Sequence, residues 1–250
     1  MKSVQLAPAN IQPADVVKNS RIRFFINSFY GLFVQVILVV LLSSMQVNAQ
    51  QNDTAYQRVI NERTAKIVNT LDIADATKRS KVHAQIADQY FALNSIHEGS
   101  KAAVTAIKAK SISKEEIAAE VKQEEESKAE KLRQLHTQYV AALKTTLTAD
   151  QVEKVKDGMT YRILPVTWTA YMDMLQKLTQ EQKDKMYSWL LEARELAMDE
   201  GSSDKKHAVF GKYKGRINNY LSAAGYDMKK EGEEWAKRIQ AAKEAKQNQN

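Results

Sequence analysis

Beyond residue 50, the apolar positions of this 250-residue chain recur at spacings of three and four. Val82, Ile86, Tyr90 and Leu93 form one series. Leu132, Leu135, Tyr139, Leu143 and Leu147 form a second, and Met186, Trp189, Leu190, Ala193 and Ala197 a third. On a helix such spacing gathers the side chains into one apolar stripe. Alternating runs of Val, Ile, Thr and Tyr, the mark of half-buried strands, are nearly absent, and Pro165 is the last of only 3 prolines. The pattern predicts an all-α multi-helix bundle. Helices are expected near 53–70, 74–97, 101–109, 113–146, 149–157, 165–177, 180–199, 205–223 and 229–245. Gly99, Gly158 and Gly201 follow expected helix ends and read as left-handed stops.

The N-terminal pattern is different. Phe24 to Leu42 carries no charge, Arg21 and Arg23 precede it, and Val47-Asn48-Ala49 closes it with small residues at alternate positions. This reads as a signal peptide over 1–49, cut after Ala49, although the apolar run is also long enough for a retained membrane anchor. A single helical domain is then expected over 50–245, with a frayed tail at 246–250, in a periplasmic or secreted protein with no membrane anchor after cleavage. The formal charge of the whole chain is +7. Residues 1–49 hold Lys2, Lys18, Arg21 and Arg23 against Asp15, so their removal lowers the charge by three, to +4. That mild balance argues against nucleic acid as a partner. There is no cysteine, which excludes disulfides, thiolate metal sites and a Cys nucleophile.

Leu147-Thr148-Ala149-Asp150-Gln151 and Leu178-Thr179-Gln180-Glu181-Gln182 share the pattern L-T-x-x-Q. Physically this is a capping box: the Thr hydroxyl accepts from the backbone three residues on, and the Gln reaches back. The repeat resembles the signature of periplasmic envelope-stress chaperones of the Spy/CpxP type, over the ten residues of the two motifs. That resemblance implies a chaperone or stress adaptor as an alternative function.

The densest chemistry lies in 205–219. Lys205, Lys206, Lys212, Lys214 and Arg216 accompany His207, with no acid between 205 and 216. On a helix, Phe210, Tyr213, Ile217, Tyr220 and Leu221 make the buried stripe, and Gly211 and Gly215 fall one turn apart on an adjoining face. Two mid-helix glycines cost about 1 kcal/mol each relative to Ala. Close approach of a neighbouring helix or a ligand to bare backbone would offset that. Lys212, Lys214 and Arg216, with Arg194, are expected to hold carboxylates or sulfates. Asn218 and Asn219 suit hydroxyl groups, and Tyr213 offers a face for a sugar. The same residues equally describe a solvated basic surface.

Two further clusters bear on this block. Val155–Tyr161 contains Asp157 and Thr160, and Ala193–Ser203 places Asp199 just before His207. Asp199 or Asp157 beside His207 would make an acid/base pair. No nucleophile elbow is present, and His83, His97, His136 and His207 show no ligand spacing, so no metal and no cofactor are expected.

The segments VKDGMTY (155–161), ARELAMDEGSS (193–203) and KHAVFGKYKGRINNYLSAAGYD (206–227), with Trp235, resemble the family called domain of unknown function 3826. The resemblance runs from about Asp53 to Arg238. It implies an exported protein of Bacteroidetes-type bacteria, of a kind often encoded near genes for degrading plant polysaccharides, pectin especially. The expectation is therefore an exported helical protein binding or processing acidic plant-glycan fragments. If it is an enzyme, it would be a lyase or hydrolase. A purely structural envelope protein is the remaining reading.

Overall fold

The computed structural model describes residues 54–247. The expected leader, its cut after Ala49 and the last three residues of the expected tail lie outside the described residues. By its contacts the chain divides into Met1–Val59 and Ile60–Asn250, and the buried core belongs to the second unit. Among the described residues there are eight helices and no strand. They are α1 (54–68), α2 (Ala76–Lys108), α3 (Lys114–Thr146), α4 (Ala149–Met159), α5 (Ile163–Met174), α6 (Gln180–Met198), α7 (Ser203–Ala223) and α8 (Met228–Gln247). No helix among the described residues is long and apolar enough to cross a membrane.

The expected all-α bundle is what forms, with two instructive departures. Helices anticipated at 74–97 and 101–109 are one element, because α2 runs through Gly99 without a break. The glycine costs the helix about 1 kcal/mol, and packing of α2 along α3 outweighs it. Nor do Gly158 and Gly201 serve as left-handed stops. The only described glycine with positive φ is Gly225, at 94°. Gly158 lies inside α4, and a methyl group there would come within 2.8 Å of Ile67 on α1. Its role is close approach of two helices.

The two L-T-x-x-Q segments are caps in fact. Gln151 N donates to the Thr148 hydroxyl at 3.3 Å while Thr148 N donates to Gln151 at 3.2 Å. Thr179 and Gln182 repeat the exchange at 2.9 and 3.2 Å. Both glutamines also work across elements: Gln151 Nε2 donates to the Leu71 carbonyl at 2.8 Å, and Gln182 accepts from the Tyr226 hydroxyl at 3.0 Å. Leu147 and Leu178 are buried in front of their caps. The repeat thus fixes where α4 and α6 begin.

A core of Leu164, Tyr171, Leu175, Leu190, Phe210 and Ile217 holds α5, α6 and α7 together. The stripe anticipated on α7 is the buried one, with Phe210, Ile217 and Leu221 fully enclosed. Helix α8 is tied to the end of α5, where Trp235 Nε1 donates to Asp173 at 2.6 Å and Arg238 donates to the carbonyls of Asp173 and Met174. The α8 helix runs to Gln247, two residues into the expected tail.

Glycine substitutions separate the two kinds of position. Gly158→Ala is expected to lower stability by about 1–2 kcal/mol, since overpacking against a branched buried side chain outweighs the gain in helix propensity. Gly211→Ala and Gly215→Ala meet nothing within 4 Å and are each expected to raise stability by up to about 1 kcal/mol. Thermal melts of the three variants check both signs.

Candidate functional site

Helix α4 ends in an unusual way. The Arg162 N–H donates back to the Asp157 carbonyl at 2.7 Å, and the Tyr161 N–H to the Gly158 carbonyl at 3.3 Å. This is the left-handed closing turn that ordinarily has glycine at its pivot. Helix α7 closes in the same way and does have one: Tyr226 N donates to Leu221 O and Gly225 N to Ser222 O, with Gly225 at the pivot. In α4 the pivot is Tyr161, with φ 57°, followed by Arg162, also at 57°. A left-handed non-glycine residue costs about 1–2 kcal/mol, and such residues concentrate where a side chain is needed in a particular place.

That turn forms one wall of a cleft of about 710 Å³. Arg63 and Lys66 of α1, Lys154 of α4, and Arg162 line it, with Asp157 as the one acid. No carboxylate among the described residues pairs with Arg63, Lys66 or Arg162, whereas Lys154 lies 3.8 Å from Asp72. Tyr90, Tyr161 and Pro165 supply apolar surface. The Tyr161 ring, 40% exposed, stacks on His207 at 5.5 Å between centroids.

Behind this wall, Arg194 of α6 is buried, at 3% exposure. It donates to Asp157 at 2.7 Å and to Glu153, two carboxylates one turn apart on α4. Burial disfavours its charge, but those two hydrogen bonds outweigh it and raise the guanidinium's pKa. Next to it, Lys156 donates to Glu195 at 2.8 Å. His136 of α3 lies between Glu195 and Asp199, at 3.3 and 3.0 Å. Hydrogen bonds to Asp199 and then Glu195 raise its imidazole to about 9. Burial pushes the Glu195 carboxyl up, yet its bonds to His136 and Lys156 win and hold it at about 2. Lys206 is buried and donates to the carbonyls of Ala197 and Met198 at 2.9 Å, closing α6. Burial pulls its ammonium down to about 8.

The residues singled out from the sequence are therefore dispersed. Asp157 lines the cleft, but its carboxylate is held by Arg194, so Arg194 is a strut beneath the cleft and not an exposed ligand. Asp199 and His207 do not pair, which corrects the acid/base couple expected from their proximity in sequence. Asp199 turns to His136, and His207 Nδ1 donates to the Ser203 carbonyl at 2.8 Å. The reason is helical geometry: Asp199 ends α6, and His207 projects from the side of α7 that faces Tyr161. Gly211 and Gly215 are exposed, and a methyl group at either would meet nothing within 4 Å among the described residues, so no described helix makes the close approach that was one of the two expected reasons for them. Lys212, Lys214 and Asn219 share that open exposure. Asn218 accepts from the Tyr171 hydroxyl at 2.7 Å. Arg216 lies over Trp189 at 4.5 Å and 3.7 Å from Glu192. Tyr213 is pushed up to about 12 by burial and by Glu192. Arg63, Lys66, Lys154 and Arg162 were not singled out. Only the left-handed pivot and the return of α1 bring them together, and neither is visible in spacing. Among the described residues no three His, Asp or Glu converge as metal ligands.

The fold and cleft define an all-helical protein with a basic pocket at a strained helix end. The model of the family described as "Protein of unknown function (DUF3826)" matches residues 57–241, and the chain belongs to that family. No curated protein matches it.

The histidine provides a check on the strut. Its pKa is higher folded than unfolded, so its contribution to stability is fully present below about pH 6.5 and is lost as pH rises through about 9. The difference in melting temperature between the wild type and His136→Gln is expected to be largest near pH 6 and to shrink towards pH 10. A difference independent of pH would contradict this.

Proposed function

We propose that the cleft at the end of α4 binds an anionic ligand, and that in an exported protein this is an acidic, pectin-type plant-polysaccharide fragment. The observation that supports it best is Tyr161. A tyrosine occupies a backbone position where glycine would be relaxed, beside Arg63, Lys66 and Arg162, whose charges are unpaired within the described residues. A sugar acid needs both parts: cations for its carboxylate and an aromatic face for its ring. Asp157, oriented by Arg194, offers an acceptor for hydroxyl groups. Lys212, Lys214, Arg216, Asn218 and Asn219 belong to a different, outward face, and the reading does not depend on them.

The reading is one of binding. Were the ligand also processed, as by a lyase or hydrolase, the base would be His207. Its Nδ1 is engaged by the Ser203 carbonyl, so Nε2 is the ring nitrogen left for such a role. The chaperone alternative rests on the L-T-x-x-Q repeat, and capping already accounts for those residues.

Calorimetry with oligogalacturonides tests the proposal. Wild type is expected to bind, more weakly as salt rises. Lys66→Ser is expected to weaken binding. Tyr161→Gly is expected to keep or raise the melting temperature while affinity falls about tenfold. No heat with wild type, or equal heat with Lys66→Ser, would overturn it.

A further inference from the structure

A second basic concavity lies beyond the first turn of α7. It is a groove of about 590 Å³ between α2, α3 and the α6–α7 link, and it carries Lys101, Lys108, Lys128 and Lys205 against Glu98 and Glu125. Glu98 is already occupied by Lys101, at 3.4 Å. Asn94, Ser100, Thr105 and Ser202 add amide and hydroxyl groups to the same lining.

The groove and the cleft both draw on α2. Tyr90 of the cleft and Asn94, His97, Lys101 and Lys108 of the groove fall at spacings of four, three, four and seven along α2. That is one continuous stripe of a single helix. At 1.5 Å per residue, Lys101 stands about 16 Å along the axis from Tyr90. The α6–α7 link crosses this stripe at His97, which donates to the Asp199 carbonyl at 2.7 Å and packs so tightly on Gly201 that a methyl group there would lie 2.8 Å away. The first turn of α7 rises from that crossing. Successive residues point about 100° apart. Lys206 is buried below, Lys205 faces the groove, and His207 turns the other way, stacking on the Tyr161 ring that lines the cleft. The ridge between the two concavities therefore carries cationic or polar side chains on both flanks.

We infer that the groove is a second binding site for the same ligand class, and that the protein grips a linear polyanionic glycan running from the cleft over the first turn of α7 into the groove. This rests on the reading of the cleft as an anionic-sugar site. A carboxylate-bearing end of the glycan occupies the cleft, and the repeating uronates beyond it present further carboxylates at the reach of Lys205, Lys101 and Lys128. Two linked sites engage one chain more tightly than either alone, without any new kind of contact.

Oligogalacturonides of two lengths, a dimer and a decamer, provide the test, measured by calorimetry against wild type and the variant Lys101→Ser/Lys128→Ser/Lys205→Ser. None of the three lysines is buried, and the variant's helicity and melting temperature verify that it is folded. The decamer is expected to bind wild type at least about tenfold more tightly than the dimer. The triple variant is expected to lose that advantage while binding the dimer as wild type does. Equal affinity for both lengths in wild type, or an undiminished advantage in the variant, would overturn the second site while leaving the cleft in place. Failure of both lengths to bind wild type would overturn the cleft reading and this one with it.

Discussion

Arg194 is the interaction on which the site depends. Its guanidinium is taken out of water, and a buried charge is tolerated only when it is paired and hydrogen-bonded, as its two terminal nitrogens are. Two of its partners, Glu153 and Asp157, stand one turn apart on α4, so one fork fixes both the axial position and the rotation of that helix against α6. The last turn of α4 is therefore not free to unwind. The strained pivot at Tyr161 follows directly from the carbonyl of Asp157, the residue whose side chain Arg194 holds. Lys156, Glu195, His136 and Asp199 extend the same clamp to α3, and Lys206 closes the end of α6.

The ends of α4 and α7 use the same pair of backbone hydrogen bonds, and only α7 has glycine at the pivot. The stabilising choice was thus accessible to this fold, and one helix departs from it where the side chain enters a cleft. Packing between α1 and α4 supports that departure. Gly158, one turn before the pivot, lets Ile67 lie directly on the backbone, which brings Arg63 and Lys66 alongside.

Much of the fold was legible from the sequence. Apolar spacing revealed the helices, and the Thr–Gln pairs revealed the starts of α4 and α6, because capping is a local interaction between residues three apart. Gly99 misled because a mid-helix glycine is tolerated when a second long helix packs alongside, and that is a tertiary fact. The site was only partly legible. Asp157, His207 and Tyr161 stood in segments with evident chemistry, but the glycine, lysine and asparagine strip of 211–219 drew attention by composition alone and faces outward. Arg63 and Lys66 sit on a helix with no distinguishing motif. They become significant only because α1 returns beside a residue almost a hundred positions later, a relation that no local pattern encodes.

In the proposed reading an acidic sugar binds at the left-handed end of α4 and not along the outer face of α7. Titrating an oligogalacturonide into isotope-labelled protein and following backbone amide shifts by NMR measures that location directly. The largest changes are expected at residues 63–70 and 154–165, with the amides of 211–219 nearly unmoved. Changes concentrated at 211–219, with residues 154–165 silent, would contradict it.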